Sequence, residues 1–144
     1  MVSDTGFVSQ EIVTGTAIAA GKIHSDYLAV TNGARRLSLN FRFHRGSAVL
    51  DNKAHHDIQR LIDYVQREED VRELILIGFS DQLEAIPMHS LALSIQRADR
   101  IADVLISNGV APNRVRGFGP AVTIASNDTP QGREKNRRVE VWVR

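Results

Sequence analysis

Asp81 and Arg97 are the residues whose types and placement could do chemistry. Asp81 follows the apolar run Leu74-Ile75-Leu76-Ile77 by way of Gly78-Phe79-Ser80, so it leaves the carboxyl end of a strand, where α/β sheets commonly open a binding crevice. Ser90, Ser94, Arg97 and Ile101 fall on neighbouring turns of one helical stripe. A fixed anion and a fixed cation facing one groove suit a small zwitterion. The guanidinium grips a carboxylate through two parallel hydrogen bonds, and the carboxylate takes an ammonium. The same side chains could instead pair with each other and simply tie loop to helix, a contact worth about 0–1 kcal/mol when exposed. Spacing alone leaves both readings open.

Other chemistries find less support. Without cysteine there is no disulfide, thiolate metal site or cysteine nucleophile. His44 and the adjacent pair His55-His56 lie close in sequence, but neighbouring helical positions point about 100° apart and the i,i+4 spacing of a chelating pair is missing. No G-x-S-x-G elbow is present, and Gly117-Phe118-Gly119-Pro120 reads as a turn because G-x-G-x-x-G is incomplete. The expectation is a binding protein, not an enzyme, with no metal or cofactor. Arg133, Lys135, Arg137, Arg138 and Arg144 form a basic tail, but only Trp142 is interleaved with it and Glu134 and Glu140 interrupt it. It reads as charge guarding an edge strand, and nucleic acid is not expected. The formal charge of +1 agrees.

The elements that must position these residues follow from periodicity. Leu37, Leu39, Phe41 and Phe43 alternate with Ser38, Asn40 and Arg42, predicting a strand with one buried face. Asp51 and Asn52 are N-cap candidates, and Ile58, Leu61, Ile62 and Val65 predict an amphipathic helix over 52–68. Residues 73–78 read as a strand covered on both faces. A loop over 80–88 precedes a long helix carrying Leu91, Ile95, Ala98, Ile101, Ala102, Leu105 and Ile106, stopped by Asn108-Gly109. Residues 114–118 form a short strand, 125–135 a polar loop or helical turn, and Val139, Val141 and Val143 a last strand. The order β-α-β-α-β-β predicts a two-layer α/β sandwich, a mixed sheet covered by two long helices.

Residues 1–36, including Thr14-Gly15-Thr16, lie outside this pattern and read as the tail of a preceding domain or a linker; 37–144 form the domain. The start lacks the basic and apolar regions of a secretory signal, so either the protein is cytoplasmic or residue 1 begins a piece of a longer one. No run approaches the roughly 18–20 apolar residues of a membrane span.

Three ordered motifs resemble a family. Gly78-Phe79-Ser80-Asp81, then Leu93-Ser94-Ile95-Gln96-Arg97-Ala98, then Asn136-Arg137-Arg138-Val139-Glu140 are similar to the C-terminal OmpA-like domain shared by OmpA, the lipoprotein Pal and the flagellar protein MotB. The resemblance spans about 37–144. It implies noncovalent binding of peptidoglycan in the periplasm of a Gram-negative-type envelope, through the diaminopimelate of the stem peptide. By the same resemblance Asp81 and Arg97 grip the ligand, Ser80 keeps the hydroxyl of a usual threonine, Ser90 replaces a usual asparagine, and Ser94, Asn136, Arg137 and Arg138 border the groove. The Gln82–His89 loop departs from the family: it lacks a usual glycine, is one residue longer and contains Glu84 and Pro87. That departure motivates an alternative, a structural or protein-interaction domain in an envelope transport protein that keeps the fold and has lost the ligand. Residues 33–43 also resemble the junction where some periplasmic substrate-binding proteins continue into an OmpA-like domain, which implies an N-terminal domain of the same parent as a partner.

Overall fold

The computed structural model of the chain describes residues 17–84 and 87–144; Thr14-Gly15-Thr16 lies outside them. In chain order the elements are α1 (Ala17–Thr31), β1 (Arg35–Arg36), β2 (Phe41–Arg42), α2 (Asn52–Arg67), β3 (Leu74–Gly78), α3 (Pro87–Ser107), β4 (Arg114–Gly117), α4 (Pro130–Asn136) and β5 (Arg138–Val143).

Of the period-two run from Leu37 only Phe41–Arg42, β2, is laid down as a strand; β1 precedes the run, and both lie along one side of β5. Arg35 pairs antiparallel with Val143 and Phe41 with Val139. Between them the Leu37 N–H donates to the Val141 carbonyl at 2.9 Å, carrying the ladder across the break. On its other side β5 runs antiparallel to β3, and β3 runs parallel to β4 after the α3 crossover. β5 is therefore interior, and all six of its residues are buried. This corrects the edge-strand reading of the basic tail: with strands on both sides, Arg138 and Glu140 stand inside the protein and guard no edge.

Asp51 starts α2 as expected, its carboxylate accepting the Ala54 N–H at 2.8 Å. Pro87, expected in the loop, instead opens α3; a fixed φ and a missing N–H cost nothing in a first helical turn. Leu39, Phe41 and Phe43 pack with Ile58, Leu61, Ile101, Leu105 and the valines of β5 on one face of the sheet. Each large side chain buried there contributes about 1.5–3 kcal/mol. This is the α/β sandwich with a mixed sheet that the element order implies.

The second face is covered as well. Tyr27, Val30 and Ala34 pack on Ile75, Ile77, Phe79, Phe118 and Trp142. Tyr27 meets Phe79, Phe118 and Trp142 edge-on, with centroids 5.8, 6.0 and 6.3 Å away. The boundary drawn at 36/37 does not coincide with a break in packing, because α1 lies on the sheet and β1 within it.

Gly78 sets how near α3 comes to the sheet. A Cβ there would lie 1.9 Å from the Ser94 carbonyl oxygen, so only glycine permits the approach. That approach brings Arg97, one turn further on, to the carboxyl end of β3.

Candidate functional site

Beyond Gly78 the backbone stays tied to its neighbours: Phe79 donates to the Arg138 carbonyl at 2.8 Å and Ser80 to that of Gly119 at 3.0 Å. Asp81 follows, 1% exposed. One carboxylate oxygen accepts the Leu83 N–H at 2.7 Å and the other accepts Arg137 Nη1–H at 2.9 Å. Arg137 is itself fixed by Nε, which donates to the Phe43 carbonyl at 2.8 Å.

Arg97 is fully buried, and its guanidinium is saturated. Nε donates to the Ser47 carbonyl at 2.8 Å, and Nη1 to the Phe79 carbonyl at 3.0 Å and Glu84 Oε1 at 2.8 Å. Nη2 donates to the His44 carbonyl at 3.2 Å and Glu84 Oε2 at 2.5 Å. Every N–H that an arginine side chain offers is thereby used. Glu84, 2% exposed, also accepts the Asp81 N–H at 2.8 Å and the Gly46 N–H at 2.7 Å. Gly46 has a left-handed φ of 71°, a turn that glycine makes without strain.

Asp81 and Arg97 are thus neighbours, since Glu84 accepts from both, but their carboxylate and guanidinium are not paired with each other. The ion pairs formed are Arg97–Glu84 and Arg137–Asp81. Glu84 was visible in the sequence only as part of an unusual loop; nothing in its spacing predicted that it would take Arg97.

Ser80 is fully buried and its hydroxyl has no hydrogen-bond partner. Ser90 Oγ donates to the Glu84 carbonyl. Ser94 Oγ donates to the Leu91 carbonyl at 2.6 Å and accepts the Gly119 N–H at 2.9 Å. Asn136 braces the segment before α4, accepting from Ile124 and Ala125 and donating to Ala125 and Asn127.

Arg138 faces the other way, toward α1. Its Nε donates to Glu140 Oε2 at 2.9 Å and its guanidinium lies 3.7 Å from the centre of the Phe79 ring. Nη2 is also 2.9 Å from Oε2, off the line of a hydrogen bond. Glu140 accepts from Tyr27 at 2.8 Å and from Trp142 at 3.0 Å. Burial pushes the Glu140 carboxyl up, but Arg138, Arg36, Trp142 and Tyr27 outweigh it and hold the group below the usual carboxylate range. Burial and Glu140 together push the Tyr27 hydroxyl up.

A cleft of about 350 Å³ opens on Glu84, between Arg45 and Gly46 on one side and His89, Leu93 and Gln96 on the other. A second, of about 400 Å³ between Leu39 and Tyr64, shares no residue with the site. Among the described residues no group of three or more histidines, aspartates and glutamates could hold a metal. The arrangement offers a cradle for a carboxylate, built from Arg97 and two backbone amides, with the Asp81 carboxylate beside it.

A sequence model described as the OmpA family matches residues 42–137 of the 144. The chain belongs to the OmpA family. The matched stretch holds Asp81, Glu84, Arg97 and Arg137, while α1 and β1 lie outside it. Among its relatives, outer membrane porin F of Pseudomonas fluorescens is 32% identical over 110 residues, 75% of this chain and 33% of the porin. Peptidoglycan-binding protein ArfA of Mycobacterium bovis is 39% identical over 88 residues, 60% of this chain and 26% of ArfA. This OmpA-family chain thus spans a third or less of the length of these two relatives. The C-terminal domain of Helicobacter pylori MotB matches with a TM-score of 0.64 at 30% identity, covering 74% of this chain and 84% of that one.

Proposed function

We propose that this OmpA-family domain anchors its parent protein to the cell wall by binding peptidoglycan noncovalently in the periplasm, as a binding module and not an enzyme. The ligand group is the diaminopimelate of the stem peptide, with its carboxylate on Arg97 and its ammonium on Asp81. The observation that carries the reading is the cradle at the end of β3. Arg97 and the amides of Gly46 and Asp81 already hold a carboxylate there, that of Glu84, next to a second carboxylate on Asp81. A carboxylate receptor beside an anion complements a zwitterion. The relative named for peptidoglycan binding, ArfA, adds support. Arg137 orients Asp81. Ser90, Ser94 and Asn136 hold the surrounding loops, while Arg138 serves the α1 side of the sheet.

Sedimentation with purified diaminopimelate-type sacculi tests the anchoring. Saturable co-sedimentation is expected; a folded protein that stays in the supernatant contradicts it. One observation favours a second reading, a domain that keeps the fold without the ligand: Glu84 already occupies the carboxylate position on Arg97. That reading predicts no saturable binding to any sacculus.

A further inference from the structure

We infer that Glu84 is a built-in competitor for the carboxylate of the domain's ligand and thereby sets its affinity. The inference rests on the reading of the site as a receptor for a zwitterion. Glu84 uses both oxygens on the two outer nitrogens of Arg97 and takes two backbone amides besides, from Gly46 and from Asp81. Those are the partners a free carboxylate would take in the same place.

Access points the same way. The cleft of about 350 Å³ is bordered by Glu84 and not by Arg97, so a ligand entering it meets the competitor first. Arg97 is 0% exposed and Glu84 2% exposed, and withdrawing Glu84 alone would strand a buried guanidinium. The pair therefore opens by exchange, one carboxylate arriving as the other leaves, with no net change in buried charge. An ammonium without a carboxylate cannot drive that exchange. The observed Kd is the intrinsic value divided by the fraction of molecules in which Glu84 has left the cradle.

The test titrates a stem tripeptide ending in diaminopimelate with its α-carboxyl amidated, and its equally amidated lysine counterpart, into wild type, Glu84→Gln and Glu84→Ala. The lysine peptide keeps an ammonium and lacks the side-chain carboxylate. Glu84→Gln should bind the diaminopimelate peptide about tenfold tighter or better, with the lysine peptide unchanged. Because Glu84→Ala could fold poorly, its thermal unfolding is also followed with added acetate. Acetate should raise the midpoint of Glu84→Ala, by filling the vacated cradle, and leave wild type unmoved. Equal or weaker binding of the diaminopimelate peptide by the variants, or no acetate effect on Glu84→Ala, overturns the competitor role while leaving the zwitterion site standing. No binding by any of the three proteins removes the zwitterion reading and the competitor with it.

Discussion

Arg137 holds Asp81 from the side of β2: its Nη1–H reaches the Asp81 carboxylate at 2.9 Å while its Nε is tied to the Phe43 carbonyl. The anion proposed to take the ligand's ammonium is thus aimed by a cation that keeps some solvent contact, 13% of its side chain being exposed. Asp81→Asn should preserve the fold, at a cost of about 1–2 kcal/mol, and lose the diaminopimelate peptide. Urea unfolding and calorimetric titration read the two effects separately. An intact affinity would remove Asp81 from the site.

Arg97 carries more of the stability. Arg97→Ala leaves Glu84 buried without its cation and should cost about 3–5 kcal/mol in urea unfolding. Removing Glu84 as well should recover part of that loss, and a double-mutant cycle measures the coupling. Additive losses would mean that the two side chains are energetically independent.

Gly78 is predicted to tolerate no side chain. In Gly78→Ala the methyl group would overlap the Ser94 carbonyl oxygen, so α3 must retreat. The expected cost is about 3 kcal/mol or more, read from the urea midpoint, with ligand affinity falling because Arg97 moves with the helix.

The Glu140 cluster predicts a pH dependence. The folded carboxyl lies below its ordinary value of 4.5, so the stability it adds is fully present above that value and is lost as the pH falls below it. Urea midpoints measured from about pH 7 down to pH 3 should decline more steeply in wild type than in Glu140→Gln. Parallel profiles would contradict the assignment. At neutral pH Glu140→Gln should already be less stable, because Arg138 loses its buried counter-ion.

Ser80 buries a hydroxyl without a partner. Ser80→Ala should therefore leave stability unchanged or raise it by up to about 1 kcal/mol. Thermal unfolding without ligand checks this, and a clear loss would mean that the hydroxyl is satisfied after all.

The main face of the fold was legible because its signals are periodic: Leu39, Phe41 and Phe43 alternate, and Ala98, Ile101 and Leu105 recur at helical spacing. The second face was not. α1 shows no broad apolar stripe, and the residues it covers on β5 include Arg138 and Glu140, whose charges read as solvent-facing until their pairing is known. At the site, Asp81 and Arg97 were recognisable from a strand end and a helix stripe. Their partners were not, because Arg137–Asp81 joins positions 56 residues apart and Glu84 reaches Arg97 from a loop without periodicity.

The most direct test of the central claim is a backbone-amide NMR titration of wild type with the diaminopimelate tripeptide. Binding in the cradle predicts saturable shifts concentrated at Gly46, at Ser80 to Glu84 and at Arg97 Nε–H. Shifts confined to the Leu39–Tyr64 cleft, or none at millimolar peptide, would contradict it.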